Sequence, residues 1–288
     1  MLPQKQSENR KSLFRYGVMC ALEELPQSYS ATLRGSIDEV SERVKEAGYD
    51  ALELHIRDPI GYDGRALAKT VKDKGLSFSV VSTGLEYVLN GLSLIDDDKG
   101  IRKEALEKLK AHIDFAEMIK CPQVVIGNMR GSIPDINKYD EYESRLTEAV
   151  FELSDYMNGR PVTALIESIN RYVTNYLCGV PETLVYIEKL GRPNVNIQID
   201  THQMNIEETD FVKAVKACEG RLGHVHFSDN NRKVPGGGLM DFIPFMRALY
   251  DIDYHGYIGI ESVECPRGDP AIETSLEMLR ALEYDLFG

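Results

Sequence analysis

The sequence predicts one (β/α)8 barrel, an α/β fold. Short apolar runs alternate with helix-like segments eight times along the chain. Those runs are continuously apolar, as befits parallel strands buried on both faces. A chain of 288 residues also suits one such barrel. A doubly wound open sheet is the weaker alternative, since no Gly-x-Gly-x-x-Gly follows the first run.

The elements follow in order. Residues 1–12 are polar, lack the apolar stretch of a signal peptide and read as a loose tail before a single domain, 13–288. Phe14 to Cys20 is the first apolar run, hence the first strand. Ser36 to Ala47 is amphipathic and stops at Gly48. Ala51 to Ile56 is the second strand, and the helix Arg65 to Lys74 again ends at a glycine, Gly75. Ser77 to Ser82 is the third strand; the longer connection Thr83 to Asp96 could cover a site. A long helical period over Asp98 to Ile119 leads to the fourth strand, Gln123 to Gly127. The helix Tyr139 to Met157 stops at Asn158-Gly159, before the fifth strand, Val162 to Ile166, with Glu167 at its end. Pro181 to Leu190 carries proline in its first turn and Gly191 after its last. Val195 to Ile199 is the sixth strand, Thr209 to Cys218 a helix capped by Thr209 or Asp210, and Leu222 to Phe227 the seventh strand. The short helix Phe242 to Tyr250, the eighth strand Tyr257 to Ile260 and the helix Asp269 to Leu286 complete the chain.

Composition narrows the partners. A net charge of −13 argues against nucleic acid or an anionic membrane surface. No apolar run approaches the roughly 20 residues of a membrane span. Five scattered cysteines without a Cys-x-x-Cys pair suggest reduced thiols and a cytoplasmic protein.

The chemistry concentrates between Val195 and Gly238. Asn196 to His202 and Leu222 to Asp229 each read as a buried strand ending in a metal-type ligand. Alternation places Gln198 with Asp200 on one face, and His224 with His226 on another. In a barrel of this kind the site lies at the C-terminal strand ends. Glu167, Asp200, His226 and Glu261 end strands five to eight, so four adjacent strands deliver three carboxylates and an imidazole to one rim. Three clustered carboxylates repel one another unless a cation lies between them. Oxygen-rich ligands with one histidine suit Mn²⁺, Mg²⁺ or Co²⁺ better than structural zinc.

Several motifs carry a family likeness: Ile166-Glu167-Ser168-Ile169-Asn170-Arg171-Tyr172, Ile199-Asp200-Thr201, Met204-Asn205-Ile206-Glu207-Glu208, His224-Val225-His226, Asn231-Arg232 with Pro235-Gly236-Gly237-Gly238, and Gly259-Ile260-Glu261. Together they resemble the xylose isomerase-like barrel superfamily, most closely its D-tagatose/D-psicose (allulose) 3-epimerase branch. The resemblance implies a metal-dependent proton-transfer enzyme acting on a sugar. One divalent ion, Mn²⁺ foremost and Mg²⁺ or Co²⁺ otherwise, would be held by Glu167, Asp200, His226 and Glu261. It also implies that Glu167 and Glu261 are the acid/base pair inverting C3 of a ketose through a cis-enediolate, and that Arg232 lies by the substrate. An aldose–ketose or hydroxypyruvate-type isomerase is the alternative. An endonuclease IV-like nuclease is disfavoured by the charge and the few histidines. Two departures mark the substrate's carbonyl end: Val173 stands where the family has a second glutamate, and Gln203 where it has a histidine. Gln203 can hydrogen-bond there but cannot carry charge. By analogy such barrels pair as homodimers or homotetramers.

Other polar residues have plainer readings. His55 shares a face with Glu53 and both are candidate pocket-lining residues, although a buried polar pair is the commoner explanation. Arg130, after the fourth strand, is a candidate anion contact at the barrel mouth. His224 reads as a hydrogen-bonded interior residue, and His202 as a loop residue or one packed outside the barrel.

Overall fold

The computed structural model describes residues 12–23, 25 and 29–288. The eight expected strands are present: β1 Arg15–Ala21, β2 Ala51–His55, β3 Ser77–Ser82, β4 Gln123–Val125, β5 Thr163–Glu167, β6 Val195–Asp200, β7 Leu222–Phe227 and β8 Tyr257–Ile260. All pair in parallel with their sequence neighbours, and β1 closes the ring on β8 from Arg15↔Tyr257 to Val18↔Ile260. The fold is thus a single closed (β/α)8 barrel. A two-residue strand, Leu33–Arg34, extends the sheet beside the end of β1.

Parity along the strands separates two environments. Val18, Cys20, Leu52, Leu54, Ile166, Ile197, Ile199, Val225, Phe227, Ile258 and Ile260 point outward and join the large core beneath the helices. The other parity points inward, where Val80, Val125 and Leu165 form a small separate apolar cluster. Two positions beyond Leu165 on that inner face stands Glu167, and its counterparts are Asp200, His226 and Glu261. Two register shifts tune this parity. One lies between β2 and β3, after Leu52, and the other between β6 and β7, where Gly223 is the extra residue. A Cβ on Gly223 would come within 2.3 Å of Leu165 Cδ2, so the bulge requires glycine.

The surrounding helices are α1 Ile37–Glu46, α2 Gly64–Asp73, α3 Gly84–Asn90, α4 Lys99–Ile119, α5 Tyr139–Tyr156, α6 Val180–Leu190, α7 Thr201–Glu207, α8 Phe211–Ala217, α9 Ile243–Asp251 and α10 Ala271–Phe287. Side-chain caps start several of them: Ser36 with Glu39 forms a capping box on α1, and Asp210 rather than Thr209 caps α8. Three features depart from the sequence reading. The connection after β3 contains α3. Helix α7 follows directly on β6, because Asp200 accepts from the His202 N–H at 2.7 Å and acts as its N-cap. His202 therefore lies on a helix, its ring 3.3 Å from the Asp229 carbonyl. Strand β4 stops at Val125, since Ile126 already takes helical backbone and a 3-10 turn, Gly127–Arg130, follows. Of the expected N-terminal tail, residues 1–11 lie outside the described residues; Ser12 at its end bonds to Glu283 on α10.

Candidate metal and active site

The four strand-end residues meet. Glu167, Asp200, His226 and Glu261 each offer a ligand atom within 4.8 Å of the others. His226 Nδ1 lies 2.8 Å from Glu261 Oε2 and 3.9 Å from Asp200 Oδ2. Asp200 and His226 are fully or almost fully buried. Arg232, in the loop after β7, spans the cluster: one nitrogen reaches Asp200 Oδ2 and Ser228 Oγ, and the other lies 2.6 Å from Glu261 Oε2. To do so it adopts φ 61°, a left-handed conformation that a long side chain rarely takes and that such sites tolerate.

The environment drives the two glutamates apart. Burial, reinforced by Glu261 and Asp200, pushes the Glu167 carboxyl up to about 8. Burial would also raise Glu261, but Arg232 and His226 hold it well below the usual carboxylate range. His226 is raised well above its ordinary value: burial opposes the charge, yet Glu53 and Glu261 outweigh it. A site that forces one carboxyl to keep its proton near neutrality has too little positive charge of its own. Three oxygen donors and one nitrogen on such a site fit a single divalent cation of the Mn²⁺ or Mg²⁺ kind.

Behind the cluster stands Glu53 on β2, whose involvement was not singled out among the ligand-bearing strands. Its Oε2 lies 2.7 Å from His226 Nε2 and 3.1 Å from His224 Nε2, and its Oε1 accepts from Ser82 Oγ at 2.5 Å. The signal was available, since Glu53 alternates with His55 toward the barrel interior, but the sequence does not say which residue it meets across the barrel. His224 is the interior hydrogen-bonded residue expected.

The remaining expected residues separate. His55 is buried, with Nε2 3.0 Å from the Tyr29 hydroxyl; burial holds its ring neutral by lowering its pKa to about 4. Gln203 is buried on α7, and its amide oxygen accepts from the backbone N–H and side-chain amide of Asn170, leaving its NH₂ as the donor group. Val173 is exposed at the surface. Arg130 is a correction. Instead of reaching the mouth, it is fully buried and donates to the carbonyls of Glu167 at 2.6 Å, Tyr176 at 3.2 Å and Leu177 at 3.1 Å. Its donors are spent on backbone, so it contacts no ligand anion; it locks the end of β5 that carries Glu167.

Comparison with known proteins gives the family. Residues 41–282 match the xylose isomerase-like TIM barrel family. The chain belongs to that family. It is 30% identical over 243 residues to an L-ribulose 3-epimerase of Methylomonas sp. (strain DH-1), covering 83% of this chain and 82% of that protein. It is 28% identical over 247 residues to a ketose 3-epimerase of Arthrobacter globiformis, covering 85% and 83%. Its fold superposes on a D-allulose 3-epimerase of Methylomonas sp. with TM-score 0.78 at 23% identity, over 94% of this chain and 98% of that one. The chain thus stands among the isomerases of the family. Among the described residues no helix is long and apolar enough to cross a membrane.

Proposed function

We propose that this protein is a divalent-cation-dependent ketose 3-epimerase, with Mn²⁺ its preferred ion and Glu167 and Glu261 its acid/base pair. One observation carries the reading. Two carboxyl groups reach one space from β5 and β8, one of them under Arg232, and before a cation enters their surroundings push them to opposite protonation states. Paired carboxyls tuned apart mark an acid and a base. Epimerisation requires one group on each face of the carbon, since the proton leaves one side and returns on the other.

Glu261, kept ionised by Arg232, takes the proton from C3 of a 2-ketose. The C–H electrons form the C2–C3 double bond of an enediolate, and the carbonyl π electrons move to O2. Glu167, on the opposite face, takes up a proton from solvent and delivers it to C3, and the carbonyl at C2 reforms. A second proton exchange resets the pair. A cation held by Glu167, Asp200, His226 and Glu261 would supply Lewis-acid polarisation of the ketone and balance the carboxylates. Such positioned acid/base groups typically contribute about 10²–10⁴ in rate. The NH₂ of Gln203 offers a neutral donor, and Val173, exposed at the surface, offers no carboxylate to the substrate's carbonyl end. The substrate is thus a ketose, or a ketose derivative, whose C1 end needs only neutral donors. The curated relatives named as ketose and L-ribulose 3-epimerases support this class.

The test is a panel of ketohexoses, ketopentoses and their phosphates in deuterated water with Mn²⁺, read by NMR. Deuterium at C3 with the C3 epimer forming is expected, and its loss after chelation. Deuterium at C1 or C2 with an aldose product would instead establish an isomerase.

A further inference from the structure

We infer that Glu53 is a positioning residue that fixes which nitrogen His226 presents to the cation, and that Glu53, His224 and Gly259 form a dedicated support behind the site. The inference rests on the cation reading above, and deepens it by assigning residues outside the four ligands.

The geometry is over-determined. Glu53 is fully buried and receives three donors: Nε2 of His226, Nε2 of His224 and the hydroxyl of Ser82. The two imidazoles share one oxygen, Oε2, with their rings nearly perpendicular at 88° and 5.0 Å between centroids. A carboxylate only accepts, so each Nε2 facing it must carry a proton. The His226 nitrogen left for a cation is then Nδ1, the one beside Asp200 and Glu261. A ligand imidazole anchored through its other nitrogen to a carboxylate has a set tautomer and ring angle, and gains basicity. The cluster is no second cation site, because Glu53 touches both rings at direct hydrogen-bond distance.

The backbone opposite is shaped for this cluster. A Cβ at Gly259 on β8 would lie 2.8 Å from His224 Nε2, 3.1 Å from Glu53 Oε2 and 3.1 Å from His226 Cδ2. No φ constraint calls for glycine there, so the space beside the triad does. The Gly-Ile-Glu run ending β8 therefore does two jobs: Glu261 faces the cation, and Gly259, one layer deeper on the same face, leaves room for the support.

The experiment measures Mn²⁺ binding by electron paramagnetic resonance for wild type, Glu53→Gln and Gly259→Ala. It also reads imidazole ¹⁵N shifts in the wild-type protein loaded with diamagnetic Mg²⁺. Expected are a protonated Nε2 on both His224 and His226, and Mn²⁺ affinity weakened about 10–100-fold in Glu53→Gln. Gly259→Ala should weaken it in the same direction, with both variants folded by circular dichroism. A proton on Nδ1 of His226 in the Mg²⁺-loaded protein would overturn the inference. So would Glu53→Gln binding Mn²⁺ as tightly as wild type. If a variant fails to fold, the wild-type ¹⁵N spectrum decides alone. None of these readouts needs a sugar. Wild type that binds no Mn²⁺ would sink the cation reading itself, and an inactive ketose panel with these results intact would sink only the epimerase assignment.

Discussion

Single residues carry the chemistry, and here opposing local environments do the sorting. Glu167 and Glu261 are the same residue type at equivalent strand ends, yet burial beside two other carboxylates dominates one, while Arg232 contacts the other directly. Replacing either with glutamine keeps the shape and removes a proposed proton carrier. Glu167→Gln and Glu261→Gln should each lower the rate of C3 exchange by about 10²–10⁴. Single-turnover deuterium incorporation at saturating Mn²⁺ checks this, and a folded variant retaining more than a tenth of the rate would remove that glutamate from the acid/base role. These two residues were legible because strand ends are visible in a sequence: an apolar run stops at a carboxylate. Arg130 was misread for the complementary reason. An arginine after a strand looks like a mouth residue, and nothing local reveals that the carbonyls of Glu167, Tyr176 and Leu177 fold back over it.

At the scale of elements, the ends of strands matter more than their middles. Arg130 fastens the loop after β4 to the end of β5 and to the Tyr176-Leu177 turn. Arg130→Met fills similar volume but leaves those buried carbonyls without donors, each worth about 1–3 kcal/mol. The expected loss is at least about 3 kcal/mol in urea unfolding, together with weaker Mn²⁺ binding as Glu167 loses its fixed backbone. A variant as stable as wild type would show that water replaces the guanidinium. Helix α7 shows where sequence reading stopped short at this scale. Thr201 to Glu207 has no helical apolar period, and its cap is Asp200, already assigned to the site. One carboxylate both starts a helix and belongs to the candidate cation site, a double duty that pattern alone does not disclose. The regular helices, by contrast, announced themselves through terminal glycines, as in Gly48 after α1 and Gly191 after α6.

For the whole molecule, the closed barrel was the most legible feature, since eight alternations leave little else to build. What the alternation did not show is how the start of β1 is tied to the last helix. Glu283 on α10 accepts from Ser12 Oγ, from the Leu13 N–H and from the Tyr16 hydroxyl, at 3.0 Å for the last. Tyr16 is fully buried on β1. Glu283→Ala strands its hydroxyl and should cost about 2 kcal/mol in thermal or urea unfolding. Tyr16→Phe in the same background should recover part of that loss; if it recovers none, the clasp acts through Ser12 and Leu13 instead. At the same scale, the proposed cation would couple its binding to protons. Without a cation, Glu167 keeps a proton up to about pH 8 and His226 stays charged well above its usual range. A divalent cation must displace both protons. Between pH 6 and 8, Mn²⁺ binding therefore competes with protonation, and apparent affinity should rise at least tenfold per pH unit while protons are released. Above the point where Glu167 ionises, the slope should fall. Glu261 and Glu53, held below the carboxylate range, are ionised throughout this window and contribute no slope. Affinities by electron paramagnetic resonance at pH 6, 7 and 8, with proton release followed in weak buffer, test the coupling. A flat profile would mean that the cation binds without Glu167 and His226, and the four-residue site would have to be redrawn around Asp200 and Glu261.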